Sequence, residues 1–295
     1  MPRLAARAPL RTLLGDYPAT RALRQGALAS PVVPLDFADV AVPNKAFKRV
    51  VRDLEFDVAE LALMTFLMAR SRDVPLRLLP VVVFSRNPLP HLVCDTGRGP
   101  VTPAQLAGCR IGVRAYTTTT AVWIRALIAD QFEVQFDAVE WITLEEGHVA
   151  GMTDPPNVRR APSGADLMTM LRDGEIEAAI VDPVPAGPRC VPVVPDPGAT
   201  FRAWQERHHA RTLNHVIVVR ESLAADHAAV SELFRLFRES REIAGTAVDR
   251  ASTPLGLAAN RRNLEVAIAA AGAQRLLARP LTVDDLVTGA AASLQ

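Results

Sequence analysis

Short apolar runs with strand character alternate along this chain with segments of helical period, and this order constrains the fold more than any other feature. A clear example is the apolar strand predicted over Arg110–Val113, which is followed by an amphipathic helix over Thr119–Phe132 and a strand over Val139–Thr143. Strands that alternate with helices form largely parallel sheets covered by helices. The sequence therefore predicts an α/β protein.

The chain is predicted to form two lobes and to pass from one lobe to the other at two points. The first is the turn-rich stretch DTGRGPVTP that follows Cys94, and the second lies near Leu213. A chain of 295 residues is long enough for two domains. We therefore expect one α/β lobe from residues 1–96 and 213–295 and a second, inserted lobe from residues 97–212. A ligand cleft between lobes is typical of such a design.

Several local predictions bear on the site. Leu10–Tyr17 is predicted as the first strand, and the prolines in Val32–Phe37 favour a strand at a sheet edge. Phe56–Val58 is predicted as a short strand that runs directly into a buried helix. The breaker-rich segment 145–163 is predicted to be a loop, and 283–290 a helix.

Composition narrows the possible partners. A formal net charge of +1 provides no overall basic field to hold nucleic acid or an anionic membrane surface, so we expect a small-molecule ligand. No apolar run approaches the roughly 20 residues that span a bilayer. The N-terminal stretch shows no export signal, which favours the cytoplasm. A homo-oligomer is possible.

Neither a metal nor a cofactor is expected. The chain has 3 cysteines without a C-x-x-C pair, so it shows neither a disulfide framework nor a zinc ligand set. The Walker A pattern, the dinucleotide G-x-G-x-x-G, G-x-S-x-G and H-E-x-x-H are absent from the sequence.

Six stretches along the chain resemble the 4,5-dihydroxyphthalate decarboxylase family in that family's order. They are GDYPATRALRQG, EFDVAELALMTFLMARSR, SRNPLPH, RIGVRAYTTTTAVWIRAL, NHVIVVRESL and PLGLAANRRNLE. Together they touch both predicted lobes. The resemblance implies the two-lobed fold of type II periplasmic solute-binding proteins, without their export signal. It also implies that 4,5-dihydroxyphthalate is converted to protocatechuate and carbon dioxide.

The resemblance implies a set of site residues. The catalytic candidates are Glu60, His91 and His215, and the substrate-binding candidates are Tyr17, Thr65, Arg86, Tyr116, Thr118, Thr119 and Arg125. Decarboxylation of a hydroxylated ring needs a base, an acid and a cationic clamp for the carboxylate that is retained. We expect one of the two histidines to be the proton donor.

Each candidate also has an ordinary structural interpretation. The threonines 117–120 precede a helix, where they could hold a carboxylate or only cap the helix. Glu60 is predicted at a helix N-terminus, where the dipole would stabilise a carboxylate even without a catalytic role. Arg86 follows a strand and could grip a carboxylate or lie on the surface. A lone histidine is more often structural than catalytic, and either tyrosine could belong to a turn or to the core.

Some positions depart from the family pattern. Ala115 and Thr117 flank the tyrosine where the family has Glu and Gln, and Pro90 replaces an Arg. Leu255 and Ala258 replace a Tyr and a Glu. Each change removes polar capability from the presumed site. A solute-binding or ligand-sensing protein for a small carboxylate, without turnover, is therefore the alternative to a decarboxylase.

Overall fold

The computed structural model describes residues 8–294, and the contacts within this range divide the chain into two units. Of the described residues, the first unit contains 8–86 and 213–294, and the second is Asn87–Thr212. The first boundary lies earlier than the sequence suggests, because the strand Leu92–Asp95 pairs with strands of the second unit.

The strands are short, apart from two long ones that pair with each other. In chain order they are β1 (Leu10–Leu13), β2 (Leu35–Phe37), β3 (Val58–Ala62), β4 (Leu76–Ser85), β5 (Leu92–Asp95), β6 (Arg110–Val113), β7 (Glu140–Thr143), β8 (Val158–Arg160), β9 (Ala178–Ile180), β10 (Cys190–Pro192) and β11 (Leu213–Arg220).

The helices follow the strands in the alternation that the sequence predicts. They are α1 (Arg21–Arg24), α2 (Phe47–Arg52), α3 (Leu63–Arg70), α4 (Thr119–Phe132), α5 (Leu167–Asp173), α6 (Pro197–His208), α7 (Glu221–Ala224), α8 (His227–Ala244), α9 (Leu257–Ala273) and α10 (Gly289–Ala292). Short 3₁₀ turns occupy Pro43–Ala46, Leu89–His91, Thr96–Arg98, Pro103–Gln105, Phe136–Ala138 and Gly245–Ala247. Within residues 8–294, no helix combines the length and the apolar character needed to cross a membrane.

The first unit is built on a five-stranded sheet in the order β2-β1-β3-β11-β4. β1 is parallel to β2 and β3, whereas β11 is antiparallel to both β3 and β4. The carboxyl ends of β1, β3 and β4 therefore meet the beginning of β11 at one edge, which we call the first carboxyl edge. Parallel α/β sheets bind ligands at such edges.

The second unit has a six-stranded sheet in the order β10-β5-β9-β6-β7-β8. β6 is parallel to β7 and β9, and β7 is parallel to β8. β5 is antiparallel to its neighbours β9 and β10. The ends of β6, β7 and β9 and the beginning of β5 thus form the second carboxyl edge.

The observed elements confirm the α/β class and several of the local predictions. β2 lies at a sheet edge, and α4 has the predicted bounds. The buried helix predicted after Phe56 is also present, since every residue of α3 is buried. This helix packs against β11, β4 and α9, so it has no polar face.

Four predictions were wrong. The strand predicted over Leu10–Tyr17 is β1 and ends at Leu13, so Tyr17 lies in the loop that follows it. The strand near Phe56 is β3 and continues to Ala62, because an apolar segment buried on both faces shows no period that separates strand from helix. The predicted loop 145–163 contains the edge strand β8. Most of 283–290 is a turn, in which the Leu286 carbonyl accepts a hydrogen bond from Leu78 N at 2.8 Å instead of one within a helix.

Candidate functional site

Polar groups from three separate parts of the chain, including the backbone N–H of Gly15, meet at the first carboxyl edge. Gly15 and Tyr17 follow β1, Glu60 lies in β3, and His215 lies near the start of β11. In the ladder between β3 and β11, His215 is opposite Ala62. Glu60 therefore lies one diagonal step from His215 on the same face, a distance that a long side chain spans.

Glu60 is the centre of this cluster. Its side chain is fully buried, and its Oε1 accepts hydrogen bonds from the Tyr17 hydroxyl at 2.7 Å and from His215 Nδ1 at 2.6 Å. Its Oε2 accepts a third hydrogen bond, from the backbone N–H of Gly15 at 2.7 Å. A buried carboxylate requires such donors to replace its lost hydration.

The orientation of the His215 ring is determined by its neighbours. A carboxylate only accepts hydrogen bonds, so Nδ1 carries the proton in the bond to Glu60. The rings of Phe47 and Phe84 pack against the imidazole, each with its centroid 5.3 Å away. Nε2 lies on the opposite side of the ring from Glu60, and 19% of the side chain is exposed. A histidine held in this way can transfer a proton through Nε2.

Tyr17 is a hydrogen-bond donor in this cluster. Burial raises the pKa of Tyr17, and the negative charge of Glu60 and the hydrogen bond to it raise it further. The hydroxyl therefore keeps its proton at physiological pH. The Tyr17 ring also stacks on Phe84, at 6.1 Å between centroids.

Two residues that the sequence analysis did not single out shape the loop after β1. A Cβ on Gly15 would lie 2.6 Å from Cε2 of Tyr17 and 2.9 Å from Oε2 of Glu60, so only glycine fits there. The buried Thr20 hydroxyl donates to the Gly15 carbonyl at 2.6 Å and accepts from Tyr17 N at 3.0 Å. Both residues lie in the first resembling stretch, and a glycine directly after an apolar strand was the available signal.

The structure corrects the expected setting of Glu60. Glu60 lies inside β3, and α3 begins only at Leu63, with Ala62 as the N-cap. Stabilisation by a helix N-terminus is therefore the wrong explanation for this carboxylate. Thr65 lies in α3 and is buried. The Arg86 guanidinium follows β4 and lies 5.4 Å from the ring centroid of Phe84.

The remaining predicted residues belong to the second unit. Tyr116 and the threonines follow β6 at the second carboxyl edge, where α4 begins at Thr119. Thr118 occupies the N-cap position, but its side chain makes no capping hydrogen bond. Simple side-chain capping by Thr118 is therefore not what the structure shows, and carboxylate binding by Thr118 and Thr119 stays a prediction.

Arg125 supports the segment that carries these residues. It is 1% exposed, and its Nη2 donates to the Tyr116 carbonyl at 2.8 Å. The guanidinium carbon lies 3.9 Å from the ring centroid of Tyr116 and 5.0 Å from that of Trp141. Burial lowers the pKa of Arg125 to about 10, which still leaves a cation at neutral pH. Its contact with a substrate stays a prediction.

His91 has a different setting from His215. It ends the 3₁₀ turn before β5, and its Nδ1 lies 2.9 Å from the Val181 carbonyl and 3.9 Å from Oδ1 of Asp182. Nδ1 of His91 thus faces a neutral carbonyl, whereas Nδ1 of His215 faces a fully buried carboxylate. Of the two histidines, His215 has the stronger support for proton transfer.

No group of three or more His, Cys, Asp or Glu side chains that could hold a metal ion occurs in the described part of the chain. The fully buried carboxylate of Glu60 accepts three hydrogen bonds from protein donors. The expectation of a reaction without metal or cofactor stays a prediction.

Comparison with solved structures identifies the fold. The alkanesulfonate-binding protein SsuA from Xanthomonas axonopodis pv. citri, bound to MOPS, superposes with a TM-score of 0.57 at 14% identity over 97% of this chain and 99% of that chain. This chain has the periplasmic-binding-protein fold. The ligand-binding component of an ABC-type import system from Staphylococcus aureus, with zinc bound, superposes with a TM-score of 0.55 at 11% identity, over 97% of this chain and 98% of that chain.

Sequence comparison identifies more informative relatives. A 4,5-dihydroxyphthalate decarboxylase from Comamonas testosteroni is 26% identical over 258 residues, which cover 80% of this chain and 76% of that protein. A protein of the same name from Pseudomonas putida is 27% identical over 190 residues, which cover 61% and 72%. No family model matches the chain. The chain is therefore similar to decarboxylases in sequence and to solute-binding proteins in fold.

Proposed function

We propose that this protein is a decarboxylase of a hydroxylated aromatic dicarboxylate, with 4,5-dihydroxyphthalate as its substrate. The observation that carries the proposal is the imidazole of His215, held through Nδ1 by the buried carboxylate of Glu60 at the first carboxyl edge. Binding alone does not require a proton-transfer pair of this kind. The similarity to two proteins named 4,5-dihydroxyphthalate decarboxylase supports the same reaction.

The reaction needs a proton at the ring carbon that bears the departing carboxylate. Direct loss of carbon dioxide would leave an unstabilised aryl carbanion. When that carbon is protonated and the hydroxyl para to it releases its proton to solvent, the ring becomes a dienone. The bond to the carboxylate then breaks, its electron pair restores the aromatic ring as a phenolate, and carbon dioxide leaves. Solvent returns a proton to the phenolate.

His215 is the proposed proton donor. Its imidazolium gives the Nε2 proton to the ring carbon and recovers a proton from solvent. Glu60, 2.6 Å from Nδ1, stabilises the positive charge of the imidazolium and keeps Nε2 pointed away from itself. Because both Glu60 oxygens already accept hydrogen bonds, Glu60 acts through His215 and is a positioning residue in this proposal.

Arg86 is the proposed clamp for the carboxylate that is retained. Its guanidinium lies on the ring of Phe84, which itself contacts His215 and Tyr17. A guanidinium at this place can form two parallel hydrogen bonds to a carboxylate. His91, Thr65, Tyr116, Thr118 and Thr119 keep their predicted roles as candidates for the same assay.

The test is to incubate the purified protein with 4,5-dihydroxyphthalate and follow substrate and protocatechuate by chromatography. His215→Asn keeps an amide N–H for Glu60 but removes Nε2, so we expect kcat to fall by about 10² to 10⁴. Arg86→Ala is expected to raise KM. His227→Asn, an exposed histidine at the start of α8, is the control and should not change turnover.

The outcomes separate the two function classes. Protocatechuate formed by the wild type and lost in His215→Asn supports the proposal. Full turnover in His215→Asn contradicts the role of His215, and His91→Ala then tests the second histidine. Without product, a rise in Tm with 4,5-dihydroxyphthalate would favour a solute-binding or sensing protein. Without either, the departures at Ala115, Thr117 and Ala258 have changed the ligand.

The proposal includes a reaction in the cytoplasm that needs no cofactor. Turnover should be unchanged after dialysis against a chelator, and loss of turnover that a divalent metal restores would overturn this part. Cell fractionation that finds the protein outside the cytoplasm would overturn the proposed location.

A further inference from the structure

Arg241, in the last turn of α8, is a buried cation whose charge is not compensated by the described residues. Only 6% of the Arg241 surface is exposed. Its Nη1 is completely covered and finds no hydrogen-bond acceptor within residues 8–294. Burial lowers the pKa of Arg241, and the nearby charge of Arg250, a second cation, lowers it further.

Two other buried arginines of this chain donate hydrogen bonds to backbone carbonyls, although Nε of Arg70 also has no acceptor within residues 8–294. Arg70 donates to the Val74 carbonyl at 2.9 Å and to the Asp285 carbonyl at 3.4 Å. Arg125 donates to the Tyr116 carbonyl at 2.8 Å. Arg241 differs from them because its Nη1 donates to no carbonyl or carboxylate of the described residues.

Three carboxylates lie near the end of α8 in sequence; Glu242 is exposed, and the other two have partners elsewhere. Glu239 is paired with Arg235 at 2.6 Å. Oδ1 of Asp249 accepts hydrogen bonds from the backbone of its own loop, at 3.0 Å from Ala251 N and 3.2 Å from Ser252 N. The helix C-terminus favours a cation, but this effect is small beside the cost of burying an unpaired charge.

We propose that Arg241 forms the base of an oxyanion-binding site at the C-terminal end of α8, with the exposed Arg250 at its rim. A guanidinium presents paired N–H donors that fit the two oxygens of a carboxylate or of a phosphate. The shared chemistry is an oxyanion, and its source is either free inorganic phosphate or the carboxylate of an organic acid. The site is independent of the proposed decarboxylation, because neither arginine belongs to the cluster around Glu60.

The test measures binding of inorganic phosphate and, separately, of benzoate by calorimetry in a buffer without other oxyanions. We expect phosphate or benzoate to bind the wild type, and the stronger of the two identifies the source. Arg241→Met should weaken this binding at least about tenfold, the usual effect of losing a charge-assisted pair. Arg238→Met removes one exposed positive charge from the same helix and should leave the Kd unchanged.

A second measurement separates a ligand site from a purely structural arginine. In buffer without oxyanions, Arg241→Met should have a Tm at least equal to that of the wild type, because it removes an unpaired buried charge. A lower Tm for Arg241→Met, or equal binding in the two proteins, would overturn the proposal. If Arg241→Met does not fold, unchanged binding in Arg250→Met would overturn it. Turnover lost in His215→Asn with phosphate binding intact shows that the two proposals stand or fall separately.

Discussion

Replacement of Glu60 by glutamine tests the central arrangement most directly. The carboxylate accepts three hydrogen bonds, two at Oε1 and one at Oε2. An amide of the same shape offers one accepting oxygen and one donating nitrogen. No orientation of the amide therefore satisfies all three donors.

The two amide orientations have different costs. If the oxygen faces Tyr17 and His215, the nitrogen faces the backbone N–H of Gly15, which then loses its acceptor. A buried donor left unsatisfied costs about 1–3 kcal/mol. If the amide is flipped, its nitrogen faces Nδ1 of His215, and the ring must move its proton to Nε2. In both orientations the imidazolium loses the negative charge that stabilises it.

Glu60→Gln should therefore lower the free energy of unfolding by about 1–3 kcal/mol, measured by urea denaturation. Under the proposed function, it should also lower kcat by about 10² to 10⁴, measured by protocatechuate formation. Glu55→Gln is the matched control, because Glu55 pairs with Arg49 near the surface and should change stability by less than about 1 kcal/mol.

Nuclear magnetic resonance of the His215 ring adds an independent measurement. The wild type should carry a proton on Nδ1, and the flipped amide should transfer it to Nε2. Wild-type turnover and stability in Glu60→Gln, with the proton still on Nδ1, would refute the argument. It would mean that Glu60 neither orients nor stabilises the imidazole.

Three further predictions concern packing and pH. Gly15→Ala should destabilise the protein by about 1–3 kcal/mol in urea denaturation, because the new Cβ would lie 2.6 Å from the ring of Tyr17. The control is Gly272→Ala, in an open helical position, which should be neutral or stabilising by up to about 1 kcal/mol. The raised pKa of Tyr17 means that stability is lost as pH rises above about 10, where the unfolded chain ionises, so Tyr17→Phe should show a shallower alkaline loss of Tm. The hydrogen bond from Arg235 lowers the pKa of Glu232 to about 2. The contribution of this ion pair to the free energy of unfolding is therefore present above about pH 4 and lost as pH falls towards 2. Arg235→Met should flatten the dependence of Tm on pH in that window, and an unchanged slope would contradict the assignment.

Local pattern was sufficient for much of the fold. The helix over Thr119–Phe132 was predicted with its observed bounds, since it is long and bounded by threonines and by the turn that follows. The strand at Arg110–Val113 was likewise predicted. β3 was misplaced because it is apolar on both faces and joins the equally apolar α3 without a turn. Segment 283–290 was misassigned because its backbone bonds to β4, a partner that is distant in sequence.

The sequence by itself determined the alternation of strands and helices, and it placed polar residues after apolar strands, where α/β sheets bind ligands. Only the tertiary structure decided that Glu60 and His215, 155 residues apart, share a hydrogen bond. That pairing depends on β11 inserting antiparallel between β3 and β4, which no local pattern specifies. The same physical reason applies to Arg241: burial of a charge depends on what packs around it, and the local sequence shows only a basic residue near a helix end.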